Sequence, residues 1–203
     1  MSTATSYKPT AEEVKKLRER TQAPMMDCRN ALLETGGSFE QAEKQLIERG
    51  QVQAAKKSER VANEGLVTSY IHAGGKIGVL VEVNSETDFV ARSPKFAELT
   101  RDIAMHIAAM SPAYIDRESV PEAVVAQARS KFTASVPVGK PPDVAAKIIE
   151  GKLNKWYEEN CLLDQPFVKD DNISVKEMIG AAVGVLNERI KVRRFAKFAL
   201  GES

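Results

Sequence analysis

The sequence predicts an α+β fold: three short helices, then a three-stranded antiparallel sheet covered by helices, with an antiparallel helical hairpin projecting from it. Three observations carry this expectation. Residues 10–50 contain closely spaced helix starts, each followed by apolar residues at helical intervals and closed by Pro or Gly. Leu66 to His72 and Ile77 to Val83 carry β-branched residues on alternate positions around the turn Ala73, Gly74, Gly75, Lys76, which is the pattern of a β-hairpin. Helical runs at 120–133 and 142–158 flank a break rich in Pro and Gly, the signature of two antiparallel helices.

Taken in order, residues 1–9 are polar and read as a disordered tail. Thr10 and Glu13 form a capping box, in which hydroxyl and carboxylate satisfy backbone donors at a helix start. The helix from about residue 11 to residue 22 turns Val14 and Leu17 to one face, and Pro24 stops it. Asp27 is expected to cap a second helix bearing Cys28, Ala31 and Leu32, closed by Gly36 and Gly37. Ser38 and Gln41 open a third, striped by Phe39, Ala42, Leu46 and Ile47 and expected to end at Gly50. A module of this size, 10–50, buries too little surface to suit an enzyme and reads as a binding head. Met25 and Met26 in its first bend are either core filler or an adaptable contact surface.

Residues 51–64 are expected to be a polar, partly helical linker, and 65–203 a core domain in which the helical hairpin, about 120–158, is an insertion. Ser93 and Pro94 start a helix whose Phe96, Leu99, Ile103, Ile107 and Met110 should lie across the β-hairpin. Ser119 with Glu122 suggests another capping box, and Val175, Met178, Ile179, Ala182 and Val185 mark a helix around 174–186. The last strand, 189–200, is expected to alternate strictly, with Ile190, Val192, Arg194, Ala196, Phe198 and Leu200 on one side. Three strands are about the minimum for a stable sheet, and the uncovered face and edge either invite dimerisation or must be charged to prevent it.

Composition removes several function classes. Among 203 residues, 29 basic and 28 acidic side chains give a net charge of +1, so no overall field draws the chain to nucleic acid. The two cysteines, Cys28 and Cys161, lack any paired spacing and fit reduced thiols better than a disulfide framework. No run approaches the roughly 20 apolar residues of a membrane span. Gly74, Gly75 and Lys76 lack the remaining residues of a phosphate-cradling loop. His72 and His106 stand outside any catalytic pattern, and Asp170, Asp171 and Asn172 lack the Gly and distal Glu of a calcium loop, so neither metal nor cofactor is expected. The basic row Arg189, Lys191, Arg193, Arg194 and Lys197 is the one hint of RNA binding, against which stands its reading as a charged strand edge.

Between the second strand and the next helix lies the link Thr87, Asp88, Phe89, Val90. A large aromatic on so short a polar connection fills either a pocket of its own core or a partner's pocket, and the commonness of buried aromatics favours the first.

Several motifs together resemble one family. Leu17 to Thr21; Met25, Met26, Asp27, Cys28, Ala31, Leu32; Ala54, Ala55, Lys56, Lys57; Gly78 to Asn84; and Glu86 to Val90 are similar, in this order, to bacterial-type translation elongation factor Ts. Ile103 to His106, Gly139 to Pro141, Glu150 with Gly151, and Gln165 to Val168 extend the resemblance over nearly the whole chain after the tail. It implies a guanine nucleotide exchange factor rather than an enzyme. Such a factor binds the GDP complex of the GTPase elongation factor Tu, displaces magnesium and promotes GDP release so that GTP can bind. It implies that the head, which resembles the ubiquitin-associated fold, docks the GTPase through Arg18, Met25 and Met26. Thr87, Asp88, Phe89 and Val90 are expected to press where the GTPase holds magnesium, Phe89 entering an apolar pocket, which reverses the core-plug reading. One sheet subdomain where the longest members carry two points to the short form, for which a homodimer is implied. His72 resembles a histidine that contacts the GTPase in long forms. The expected location is cytoplasmic, with neither nucleic acid nor membrane as a direct partner; the alternative is an RNA-binding accessory protein using the basic final strand.

Overall fold

The computed structural model describes residues 7–137 and 139–202. Residues 1–6 of the tail expected at 1–9, and Val138, lie outside the described residues. The fold is α+β, as the sequence predicts. Helices α1 (Ala11–Thr21), α2 (Met25–Glu34) and α3 (Phe39–Lys57) come first, then strands β1 (Glu64–Ile71) and β2 (Ile77–Ser85). A single turn, α4 (Asp88–Ala91), leads into α5 (Pro94–Met110) and the helical hairpin α6 (Glu122–Ala134) and α7 (Pro142–Asn160). A short ribbon, β3 (Pro166–Phe167) and β4 (Asp170–Ser174), precedes α8 (Val175–Leu186) and the last strand β5 (Lys191–Ala199).

The helical head is held by Val14, Leu17, Cys28, Ala31, Leu32, Ala42 and Leu46, all buried in one cluster. Its first helix starts at the capping box expected of Thr10 and Glu13. Tyr7, assigned to the tail from sequence, packs against this cluster instead. Asp27 does not cap α2; Pro24 takes that position, without a side-chain hydrogen bond, and Asp27 lies one turn inside. An acidic residue there still favours the positive end of the helix.

Gly50 does not end α3, which runs to Lys57 and takes in half of the stretch read as linker. Its role is close approach: a Cβ on Gly50 would lie 2.8 Å from the backbone oxygen of Gly180 in α8. The absence of a side chain thus lets two helices cross almost backbone to backbone. At the end of α3 the buried Lys57 ammonium donates to the Asn187 carbonyl at 2.7 Å and to Asn187 Oδ1 at 3.0 Å. Asn187 is the left-handed C-cap of α8, so the cation sits on carbonyls a helix end would otherwise leave unpaired.

The sheet has the order β1–β2–β5, antiparallel throughout. Its inner face, with Val79, Val81 and Val83 at the centre, is covered by α5, which brings Phe96, Leu99, Ile103 and Ile107, and Ile179 and Val183 of α8 belong to the same buried cluster. Each such fully buried side chain contributes about 1.5–3 kcal/mol relative to exposure. The strict alternation expected of β5 fails at a bulge: Val83 pairs with Val192 but Glu82 pairs with Arg194, leaving Arg193 as the extra residue. Ile190 and Val192 therefore point inward, but beyond the bulge Phe195 turns toward the core and Phe198 and Leu200 are exposed.

The helical hairpin buries little against the body. Leu153 is its one buried residue among those described, and the Arg129–Glu150 ion pair at 2.7 Å ties its two arms. Ser119 does not cap α6, which starts after Pro121; its hydroxyl accepts from the Ile115 and Asp116 amides and shapes the preceding turn.

Candidate functional site

Strand β2 ends on two buried polar residues, Asn84 and Ser85. Asn84 donates to the Glu64 carbonyl at 3.0 Å and Ser85 donates to the Thr87 carbonyl at 3.0 Å, so the chain leaves the sheet with its polar groups paired. Thr87 is extended and caps α4: its hydroxyl accepts from the Val90 amide at 3.3 Å and donates to Glu188 Oε1 at 2.6 Å. Glu188 Oε2 accepts from the Glu86 and Thr87 amides at 3.1 and 3.0 Å. In return, Glu86 Oε1 accepts from the Arg189 amide at 2.6 Å. That bond, with Arg60 and Lys57 nearby, holds the Glu86 carboxyl below the usual carboxylate range.

One turn then presents opposite surfaces. Val90 and Ala91 are buried in the sheet core, whereas Phe89 between Asp88 and Val90 is 83% exposed. Asp88 is exposed and pairs with Arg92 at 3.1 Å. Of the four residues singled out in this link, Val90 anchors and Thr87 fastens, while Asp88 and Phe89 face solvent. The first reading of Phe89, a plug of its own core, is excluded by its exposure.

In the head, Arg18 near the end of α1 and Met25 and Met26 at the start of α2 flank the turn at 22–24 and are all exposed, the methionines by 45% and 59%. The core-filler reading of the two methionines therefore fails. His72 is exposed beside the β-hairpin turn, where Tyr70 Oη lies 3.2 Å from its Nδ1. The nine residues of β2 separate it from the 87–90 turn, so it lies at the opposite end of the sheet, about 30 Å away at roughly 3.3 Å per residue. One surface of the protomer does not bring His72 and Phe89 together.

The basic row is dispersed. Arg193 and Arg194 both pair with Glu82, at 3.5 and 2.7 Å, Lys197 lies 2.5 Å from Ser111 Oγ, and the Arg189 guanidinium donates to the Arg60 carbonyl. No group of three or more His, Cys, Asp or Glu among the described residues is placed to hold a metal ion. No described helix is long and apolar enough to cross a membrane. A cleft of about 510 Å³ lies between head and core, lined by Arg20, Asp27, Glu43, Ile173 and Val185, away from the 87–90 turn.

The turn thus leaves one large apolar ring in solvent on a hydrogen-bonded frame, and comparison with known proteins says to which family the chain belongs. The family model described as elongation factor TS matches residues 5–202. The chain belongs to the elongation factor Ts family. It is 54% identical over 194 residues to elongation factor Ts of Koribacter versatilis, covering 95% of this chain and 89% of the relative. It is 53% identical to that of Geotalea uraniireducens, covering 95% and 90%, and 50% identical to that of Fervidobacterium nodosum, covering 95% and 98%. Sequence reasoning singled out Phe89 and the head residues as candidates but not Glu188, which fastens the turn. The available signal was an acidic residue at the head of the otherwise basic run 189–197.

Proposed function

We propose that this elongation factor Ts family member is a guanine nucleotide exchange factor for the translational GTPase elongation factor Tu, acting in the cytoplasm. It binds the GDP complex, displaces magnesium and promotes GDP release so that GTP can bind. The observation that carries this reading is Phe89, a large apolar ring 83% exposed on a turn anchored by buried neighbours. Exposed single aromatics are unremarkable on loose loops; one held by a hydrogen-bonded frame is suited to entering another protein's pocket.

The physics is reciprocal linkage: a partner that stabilises the nucleotide-free GTPase weakens nucleotide binding by the same factor that nucleotide weakens the partner. Coupling of roughly 4 kcal/mol corresponds to about a thousandfold at 1.4 kcal/mol per decade. Burying one Phe supplies about 1.5–3 kcal/mol, so Phe89 needs the head contacts of Arg18, Met25 and Met26 to complete the difference. No bond is made or broken in such a reaction.

A second copy of the chain is the proposed partner on the outer sheet face. Val67, Ile71, Leu80, Phe198 and Leu200 are exposed together there, an apolar area of the kind that marks an interface. His72 borders this face at its turn, so a dimer would let one GTPase meet Phe89 of one protomer and His72 of the other. The RNA reading is disfavoured by the pairing of Arg193 and Arg194 with Glu82. The test is stopped-flow release of a fluorescent GDP from elongation factor Tu: saturating protein is expected to accelerate release at least about a hundredfold, and an unchanged rate would overturn the reading.

A further inference from the structure

We propose that Glu188 is the positioning residue that holds the 87–90 turn, and with it Phe89, in the projecting geometry that exchange requires; this rests on the exchange reading above. Phe89 has almost no packing of its own, since it is 83% exposed. Its position is therefore inherited from the backbone on either side. On the C-terminal side the backbone is fixed by Val90 and Ala91 in the core. On the N-terminal side it is fixed by Glu188, whose carboxylate accepts from the Glu86 amide, the Thr87 amide and the Thr87 hydroxyl at 3.1, 3.0 and 2.6 Å. A carboxylate accepting three donors is held more tightly than a neutral acceptor, because each bond is charge-assisted.

The anchor is itself anchored. Glu188 follows Asn187, whose carbonyl and side-chain oxygen receive the Lys57 ammonium at 2.7 and 3.0 Å. Glu86 answers from the other segment by accepting the Arg189 amide at 2.6 Å, so the two segments grip each other through adjacent residues. Since Lys57 ends α3 and Gly50 of the same helix crosses α8, the turn is joined through Glu188 to the helix that carries the head. A wedge on a yielding turn would relax before its target did. A fastened one transfers its binding energy to the partner's segment, which is where a small misplacement is most expensive.

The test combines Glu188→Ala, Phe89→Ala and the double variant. Two readouts are used: GDP release from elongation factor Tu, and amide hydrogen exchange of the free protein. Glu188→Ala is expected to lower the saturating release rate by about tenfold while moving the half-saturating concentration less than about threefold, because the head still docks. The Glu86 and Thr87 amides should exchange at least about tenfold faster, with β2 protection unchanged. In the Phe89→Ala background the second substitution should cost nothing further, since Glu188 acts through the ring. Equal factors in both backgrounds, or faster amide exchange without a slower release, would overturn the proposal. If Glu188→Ala loses β2 protection as well, Glu188→Gln takes its place: it keeps one acceptor oxygen, and an effect smaller than about twofold on both readouts would overturn the proposal. Should the wild-type protein leave GDP release unaccelerated, the exchange reading fails, while the amide arm still decides whether Glu188 holds the turn.

Discussion

The two ends of strand β2 are built on opposite plans. At its C-terminal end one exposed ring stands on a turn whose polar groups are paired: Thr87 by Glu188 and Val90, Ser85 by the Thr87 carbonyl, Glu86 by Arg189. At its N-terminal end the chain reverses through Gly74 and Gly75 at φ of +91° and +68°, with every residue from 71 to 76 exposed. There the apolar surface is broad, including Ile71, Leu80, Phe198 and Leu200. One end presents a single ring on a hydrogen-bonded frame; the other presents a broad apolar area beside an exposed glycine turn. The proposed displacement of a bound ion's ligands would draw on the first, and the proposed second copy would cover the second.

The largest effect should come from the ring. Phe89→Ala is expected to lower the rate of GDP release from elongation factor Tu by about tenfold or more, as for a buried aromatic hot spot. The thermal midpoint should be unchanged, because the ring touches solvent in the free protein. Release measured at saturating protein, together with a melting curve, checks both halves. A full-speed variant would put the two ends of the sheet on an equal footing and end the comparison.

Dimer formation comes next. Phe198→Glu places a charge in the apolar area at the adaptable end, opposite Gly78 in the sheet. Sedimentation should then show a protomer where the unsubstituted chain is expected to be a dimer, with the dissociation constant raised by about tenfold or more for an unpaired charge at a desolvated contact. An unchanged mass would leave the outer face without its proposed occupant.

What the sequence revealed and what it concealed follow the range of the interactions. The starts at Thr10, Ser38 and Ser93 were legible because a cap is settled within three or four residues. The β-hairpin and the stripe on α5 were legible because their periods are local. Gly50 misled because the same residue type closes helices and permits close crossings, and only the approach of Gly180, 130 residues on, separates the two. The bulge at Arg193 was invisible because alternation alone does not show where the partner strand loses register. Glu188 was overlooked for the same reason: its donors lie about a hundred residues earlier, at 86 and 87. Phe89 stood out as a large aromatic on a short polar link; its docking role is what the family resemblance implies, and the bare expectation of a core plug was wrong because Val90, not Phe89, is the residue of the turn that is buried.

Acid separates the core beneath the sheet from the clamp at its end. His106 is fully buried; its Nδ1 accepts from the Val168 amide at 3.2 Å and its Nε2 donates to Gln165 Oε1 at 2.9 Å, which suits the neutral ring with its proton on Nε2. Burial pushes its pKa below the ordinary 6.5, partly opposed by Gln165. The unfolded chain therefore takes up the proton first, so this contribution to stability is complete above pH 6.5 and falls as the pH drops toward the folded value. Glu86 is lowered as well, so the stability it lends is lost only below its ordinary 4.5. The melting temperature is expected to decline between pH 6.5 and 5 in the wild type and to stay flatter in His106→Gln. Protection of the Arg189 amide should persist through that window.

The smallest effect is expected at His72. Its backbone is held by its amide on the Ile77 carbonyl and its carbonyl under the Gly75 amide, both at 2.9 Å, but its ring meets only Tyr70 Oη among the hydrogen bonds described. A contact made from such a turn can shift to keep part of its partner, and exposed polar contacts of this kind are worth about 1 kcal/mol or less. His72→Ala should therefore slow GDP release by no more than about fivefold, the equivalent of that energy, and chiefly through a higher half-saturating concentration. A loss of maximal rate equal to that of Phe89→Ala would mean that the glycine turn, too, is held rigid in the complex. That outcome would point to the proposed second protomer as the source of the added rigidity, because among the described residues the turn's backbone is held only by backbone bonds, those of its own hairpin and the Leu200 amide on the Lys76 carbonyl at 2.8 Å.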